Sequence, residues 1–456
     1  MNNDLMEKIS ALVKRRGFMY PGSDLYGGLA NTYDYGPMGA ELLRNIRDLW
    51  WTEFIQKRGD IVGLDASLIS HHKIWVASGH VASFADAMVD CKNCKLRVRA
   101  DHLIEDVLEK NVEGTTVEEL DKIIQDNKML CPNCKKHEWT KVRKFNLLFP
   151  VQLGIVEGEQ GYGYLRGETA QGIFINFKNV VDSTRVRLPF GMAQLGKSFR
   201  NEITPGKSVF RTVEFEQGEI EYFFNPQNQN WEVLFEQWKK AMWEFVVGKL
   251  EINQQNLRLR THGDKERSFY SKRTEDLEYN FPFGFKELWG LAYRTDYDLR
   301  QHIQYSGKDL HITDPITNEK IIPHVIEPAV GINRILLMIL CDGYTEENNR
   351  IYLRITPKLA PFKAAVFPLV ANKEDLVDKA KSVYDELKVH FMIAWDDRGN
   401  IGKRYASQDE IGTPFCITID YQTLENNSVT VRFRDTGEQK RINISEIKDY
   451  LHKALV

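Results

Sequence analysis

Residues 186–224 constrain the fold more than any other stretch of the chain. Two arms, VRLPFGMAQLGKSFRNEI and FRTVEFEQGEIEYFF, carry alternating residues and are joined by TPGKSV. Period-two alternation belongs to strands, and the Pro-Gly link to a reversal. The stretch therefore reads as an antiparallel hairpin with a mobile loop at 204–209. Helices flank it at 4–16, ending at Gly17, and at 39–57, where Leu42, Leu43, Ile46, Leu49, Trp50 and Phe54 recur near helical spacing. A further helix is expected over 230–250, and a strand, glycine turn and buried helix over 325–343. Past the prolines at 357, 361 and 368 the pattern resets to alternating strand and helix, an α/β sheet of four or five strands. The chain thus reads as α+β: a domain over 1–90 and 146–357 built on an antiparallel sheet flanked by helices, a Cys-rich insertion at 91–145, and an α/β domain at 358–456.

Composition excludes several classes. With 42% hydrophobic and 27% charged residues among 456, this is ordinary soluble globular material. A net charge of −3 means that a nucleic-acid partner needs a local basic patch. No secretory signal opens the chain and no run of 18 or more apolar residues crosses a membrane. Six cysteines in such a chain do not suggest a disulfide framework, so a reduced, cytoplasmic protein is expected.

Chemistry concentrates in a few places. In FRNE (Phe199–Glu202), Arg200 and Glu202 are two apart and are expected on one strand face. The arginine fork suits phosphate oxygens, the carboxylate suits an exocyclic amine, and Phe215 on the other arm suits a purine face. The alternative is a plain cross-strand Arg–Glu pair; the polarity of the combined stretch favours a nucleotide. In EPAVGINR, Gly331 permits a sharp turn and Arg334 opens a helix, which suits a phosphate or stacked base, or else a paired cap. Cys91-x-x-Cys94 and Cys131-x-x-Cys134 supply four thiols, matching a tetrahedral structural zinc site whose gap at 95–130 a helical excursion must fill. Four reduced thiols without metal are the alternative. Cys341 and Cys416 read as core residues. The histidines at 71, 72, 80, 102, 262, 302, 311 and 324 show no metal spacing and read as surface or packing residues.

These elements resemble the class II aminoacyl-tRNA synthetases. The family's second motif is an Arg-x-Glu strand, a loop and a returning Phe strand, as at Arg200, Glu202 and Phe215; its third is a Gly-x-x-Arg helix start, as at Gly331 and Arg334. The first, a helix and strand at a dimer interface, is similar to residues 35–67. YDYGPMG, VRADHL, RGETAQGIF, RNEI, FEQGEIE, KELWG and EPAVGINR resemble the dimeric (α2) glycyl type, from about residue 8 to the C-terminus.

The resemblance implies ligation of glycine to tRNA(Gly) through a glycyl-adenylate, with ATP, Mg2+, glycine and tRNA(Gly) as partners and a homodimer formed through the first motif. Arg200, Glu202 and Arg334 become the catalytic set. The implied ATP site comprises Arg200, Asn201, Glu202, Phe210, Arg211, Thr212, Val213, Glu214, Phe215, Glu287, Leu288, Gly331, Ile332, Asn333 and Arg334. Phe215 and Arg334 would sandwich adenine, Arg211 would reach the distal phosphates and Glu287 would hold magnesium. The implied glycine pocket comprises Arg99, Glu168, Phe215, Glu216, Gln217, Gly218, Glu219 and Glu327, its carboxylates surrounding one small ammonium. A steric wall rejects larger amino acids, so no editing domain is required. Residues 358–456 resemble an anticodon-binding domain, where Arg398, Lys403, Arg404, Arg432 and Arg434 offer phosphate contacts. Two rivals stand beside this reading: a synthetase for another amino acid, and a non-enzymatic nucleic-acid-binding relative.

Overall fold

The computed structural model describes residues 3–455 apart from 111, 113–114, 155–160, 203–206, 264–265, 267–269 and 314–317. Of the loop expected at 204–209, residues 204–206 lie outside the described residues.

A seven-stranded sheet runs in the order Leu257–Thr261, Arg273–Phe281, Gly284–Thr295, His324–Gly331, Glu214–Phe224, Phe190–Phe199, Ile61–Leu64. All neighbours are antiparallel except the outer pair of Ile61–Leu64 with Phe190–Phe199. The expected hairpin is its centre, in register from Phe190 opposite Phe223 to Phe199 opposite Glu214. The strand ends at Phe199, however, so Arg200 and Glu202 do not share a strand face. Arg200 N still bonds Val213 O at 2.9 Å, but Asn201 N turns away to Leu147 O at 2.8 Å and Glu202 N closes back on Arg200 O at 2.6 Å. A neighbouring segment has captured the backbone just past the strand.

One sheet face is buried under the helices Pro37–Trp51, Trp231–Glu244 and Ile332–Gly343, with Leu42, Leu43, Ile46, Trp50, Trp238, Met242, Ile335 and Leu336 in a single apolar core. The helix expected over 39–57 is α-helical only to Trp51 and continues through a wider turn at Thr52–Gln56. The other face is covered at one end, where helices Ala170–Thr184 and Tyr297–Ser306 bring Phe174, Phe177 and Leu299 against Phe190 and Phe223. Further along this face lie Gln217, Glu219 and Glu327, lining a cavity.

The Cys-rich segment builds a small unit. Strands Arg97–Arg99, Ala85–Asp90 and Arg143–Asn146 form a three-stranded sheet beside helices Ala100–Leu108 and Val117–Asp126, with an apolar cluster of their own. From Ala364 onward a five-stranded sheet orders Ile393–Trp395, Ala364–Pro368, Phe415–Ile419, Ser428–Phe433, Gln439–Asn443 around a separate core. Here three of the expected phosphate contacts are corrected. Arg404, Arg432 and Arg434 are 1%, 7% and 2% exposed. Arg404 donates to the carbonyls of Arg398, Pro368, Asp397 and Gly399, and Arg432 forks onto Asp409. Their donors are consumed within the fold, whereas Arg398 and Lys403 remain exposed.

Candidate functional site

A slot opens where the central hairpin meets the start of the Ile332–Gly343 helix. Arg200, Glu202, Phe210, Arg211, Phe215, Glu287, Gly331 and Arg334 line it. Arg200 Nε donates to Gly167 O at 3.0 Å, and the guanidinium lies 5.0 Å from the Phe84 ring and 5.2 Å from the Phe215 ring. Two rings and one carbonyl thus fix its plane, and no other acceptor among the described residues takes its terminal nitrogens. Arg211 Nε stands 3.5 Å from Glu202 Oε2. Arg334 packs on Phe210, 4.4 Å from the ring centre, donates to Phe210 O and Glu287 O, and pairs with the Glu287 carboxylate at 3.1 Å. The Arg334 charge holds Glu287 below the ordinary carboxylate range. Gly331 has an ordinary extended backbone, so no sharp turn requires it. A Cβ there would approach Arg334 Cδ to 3.3 Å, a tight contact that a small shift of that side chain relieves.

Other expected members take different places. Leu288 and Ile332 are fully buried in the apolar core and do not line the slot. Asn333 accepts from Glu216 N at 2.6 Å and donates to the Tyr35 hydroxyl, tying strand to helix. Val213 N donates to Asn31 O, and Thr212 Oγ1 to Glu214 O. Glu214 is exposed and paired with Lys197.

A second cavity adjoins the slot and shares Arg200, Gln217, Glu287 and Ala329 with it. Its wall contains Glu168, Glu219 and Glu327, only 6%, 3% and 7% exposed. His80 Nε2 lies 3.2 Å from Glu168, and Ser78 Oγ is 2.8 Å from His80 Nδ1. Gln171 Nε2 bridges Glu168 at 3.2 Å and Asp298 at 3.0 Å. Arg294 forks onto Asp298 at 2.8 Å and also donates to Glu327. Thr169 and Gln217 donate to Glu219.

The charges divide accordingly. Burial opposes ionisation of Glu168, but the neighbouring His80, Arg294 and Arg200 outweigh it and hold the carboxyl low. Burial and the charges of Glu168 and Glu327 push Glu219 up to about 8. Glu327 is also raised, by burial and then Glu168, against the pull of Arg294. Three acids in one buried wall ionise together only when a cation enters.

Three expected members of this pocket are corrected. Glu216 and Gly218 face the opposite side of the strand, because side chains alternate. Arg47 forks onto Glu216 at 2.6 and 2.5 Å, and a Cβ on Gly218 would meet the Trp50 ring at 2.9 Å. Arg99 binds Asp86 at 2.9 Å and Asp101 at 2.5 Å in the Cys-rich unit, with Glu202 near enough to feel its charge. The sequence reading missed His80, Arg294 and Asp298. Arg294 and Asp298 carried one available signal, opposite charges four residues apart; His80 carried none.

The four thiols of Cys91, Cys94, Cys131 and Cys134 lie within 4.8 Å of one another. Each pair sits in the same turn: Lys95 N bonds Cys91 O and Lys135 N bonds Cys131 O, both at 2.9 Å, with Lys95 and Lys135 in left-handed conformations. Such a group is able to hold a metal ion.

Residues 156–342 match the family described as tRNA synthetase class II core domain (G, H, P, S and T), residues 363–454 match anticodon binding domain, and residues 107–147 match glycyl-tRNA synthetase insertion domain 1. Proteins named glycine–tRNA ligase from Clostridium tetani, Caldanaerobacter subterraneus and Geobacillus thermodenitrificans are 51%, 49% and 50% identical to the chain. The matches cover 98%, 99% and 99% of this chain and 97%, 98% and 97% of theirs.

Proposed function

The chain belongs to the glycine–tRNA ligases, a family of class II aminoacyl-tRNA synthetases, and on that premise we propose how its two joined cavities divide the reaction. The enzyme attaches glycine to tRNA(Gly) using ATP. The glycine carboxylate attacks the α-phosphorus and pyrophosphate leaves; the terminal tRNA ribose hydroxyl then attacks the acyl carbon and AMP leaves. Catalysis of this kind rests on positioning and charge neutralisation more than on proton transfer.

The slot takes ATP. Phe215 and Arg334 hold the adenine between them, Glu202 accepts from its amine, and Arg211 reaches the distal phosphates. Glu287 would hold the Mg2+ that neutralises those phosphates. The acidic cavity takes glycine, with Glu168, Glu219 and Glu327 around the ammonium. Arg200 belongs to both cavities, which is where a carboxylate must meet an α-phosphate. That sharing is the single observation that carries the assignment.

Three finer points complete the proposal. The thiol group holds a structural zinc: Cys91 and Cys134 Sγ are 3.5 Å apart, and Cys94 and Cys131 Sγ 3.6 Å. Tetrahedral Zn–S bonds of about 2.3 Å set such edges at about 3.8 Å. Residues 35–67 form the interface of a homodimer of the α2 type. The enzyme works in the cytoplasm, and its C-terminal unit presents Arg398 and Lys403 to the tRNA.

Amino-acid-dependent ATP–pyrophosphate exchange, run with each amino acid in turn, tests the reading. Exchange with glycine alone is expected. Exchange supported by a different amino acid, or none with glycine, would sink it.

A further inference from the structure

Glu221 is a carboxylate beside the acidic cavity that the proposed reaction leaves without a task. Its side chain is fully buried, and among the described residues neither of its oxygens has a hydrogen-bond donor. It lies in the strand Glu214–Phe224, whose pairing with His324–Gly331 runs through Glu219 opposite Ala329 and Tyr222 opposite Ile326. That register puts Glu221 directly across from Glu327, on the same face as Glu219. At that separation the two carboxyls act on one another.

A donorless carboxylate ion in such a place is very costly, and like charges directly opposite on neighbouring strands repel. Among the described residues, Arg294 is the cation whose charge acts on it, and Arg294 already forks onto Asp298 and donates to Glu327. On the other flank Glu221 pairs with Met192, which is apolar and buried. The contact with Glu327 is attractive only if one of the two carries a proton. Burial, reinforced by the charge of Glu327, pushes Glu221 far above the ordinary carboxylate range, so the proton resides there.

We propose that Glu221 is a positioning residue for amino-acid binding: a neutral carboxylic acid whose hydroxyl donates to Glu327 and, with Arg294, clamps that carboxylate toward the substrate ammonium. The assignment rests on the glycine reading of the acidic cavity. It also sets the charge of the wall, since a neutral Glu221 leaves the negative charge on residues that face the ligand. An amide in its place keeps a donor and should keep the clamp. An apolar residue of similar size should free Glu327 to rotate.

Glycine-dependent pyrophosphate exchange by the full-length E221Q, E221L and E327Q enzymes tests this. E221Q is expected to keep a KM for glycine close to the native one. E221L is expected to raise it roughly ten- to a hundredfold, the loss of one hydrogen bond to a charged group. The KM for ATP and the melting temperature should not fall in E221L, because replacing a buried polar group by a packed apolar one is commonly neutral or stabilising. A purely structural role would instead lower the melting temperature and leave the glycine KM in place. Unchanged glycine KM in E221L overturns the proposal, as does E221Q behaving like E221L. The E327Q enzyme separates the two layers: native glycine KM there overturns the cavity assignment itself, whereas impaired E327Q with silent E221L overturns only the role of Glu221.

Discussion

Arg200 in the catalytic unit and Arg404 in the C-terminal unit are the same residue put to opposite uses. Among the described residues the Arg200 side chain gives one hydrogen bond, from Nε, and leans its plane on Phe84 and Phe215. Arg404 donates to four carbonyls and is 1% exposed. A guanidinium carries five donors in a fixed fork. Where the fold uses nearly all of them, the residue is structure; where it fixes the plane and leaves the tips, the residue is available to a ligand. The same contrast separates the acids: Glu216 is fully engaged by Arg47, while Glu219 and Glu327 keep a proton balance that a ligand can change.

The sharpest way to break this contrast is to remove both arginines separately. Arg200→Ala should lower glycine-dependent pyrophosphate exchange at least about a hundredfold, the loss typical of a group that neutralises developing charge. Its melting temperature should hold, and near-native exchange would refute the assignment. Arg404→Ala should do the reverse: carbonyls that lose their donor destabilise the C-terminal unit by about 2 kcal/mol. Denaturant unfolding would reveal this loss while exchange stays little changed; a stable Arg404→Ala protein would mean that burial was the wrong criterion.

The acids give the next, smaller effect. Glycine's ammonium prefers Glu219 ionised, and Glu219 titrates near 8 in the free pocket, under Glu168 and Glu327 and with Thr169 and Gln217 as donors. The KM for glycine should therefore fall close to tenfold between pH 7 and 9, a shift of about one logarithmic unit for one linked proton. Stability without glycine runs the other way. The folded state keeps a proton that the unfolded chain loses in the ordinary carboxylate range, so stability declines as pH rises from there to about 8. A flat KM profile across this window would show that Glu219 does not meet the ammonium. The smallest effect belongs to Arg398, whose side chain is 90% exposed. Arg398→Ala should weaken tRNA binding by only about threefold and reduce its salt dependence, as removal of one phosphate contact does. Filter binding at two salt concentrations would check it; unchanged salt dependence would remove Arg398 from the tRNA surface.

Much of the slot was legible because its members fall in a few short stretches of sequence. Arg200, Phe215, Gly331 and Arg334 sit at the ends of elements whose periodicity and glycine punctuation mark where strands and helices stop. The paired cysteines announced themselves by spacing, and their two turns repeat one local hydrogen-bond pattern. The pocket was less legible. Glu216 and Glu219 look alike in FEQGE, and alternation says only that they face apart, not which side carries the site. Arg404 and Arg398 stand in one short polar segment, yet only packing distinguishes the buried one from the exposed one.

By itself the sequence determined the elements, the order of the motifs, the thiol group and the arginines and phenylalanine of the slot. Each depends on neighbours within a few residues, through backbone periodicity, turn chemistry and ligand spacing. Tertiary structure alone decided that His80 meets Glu168, that Arg294 joins Asp298 to Glu327, and that Glu221 stands across from Glu327 with no donor among the described residues. Those outcomes turn on desolvation and on charges brought from distant parts of the chain, and neither exists until the sheet has closed its helices around them.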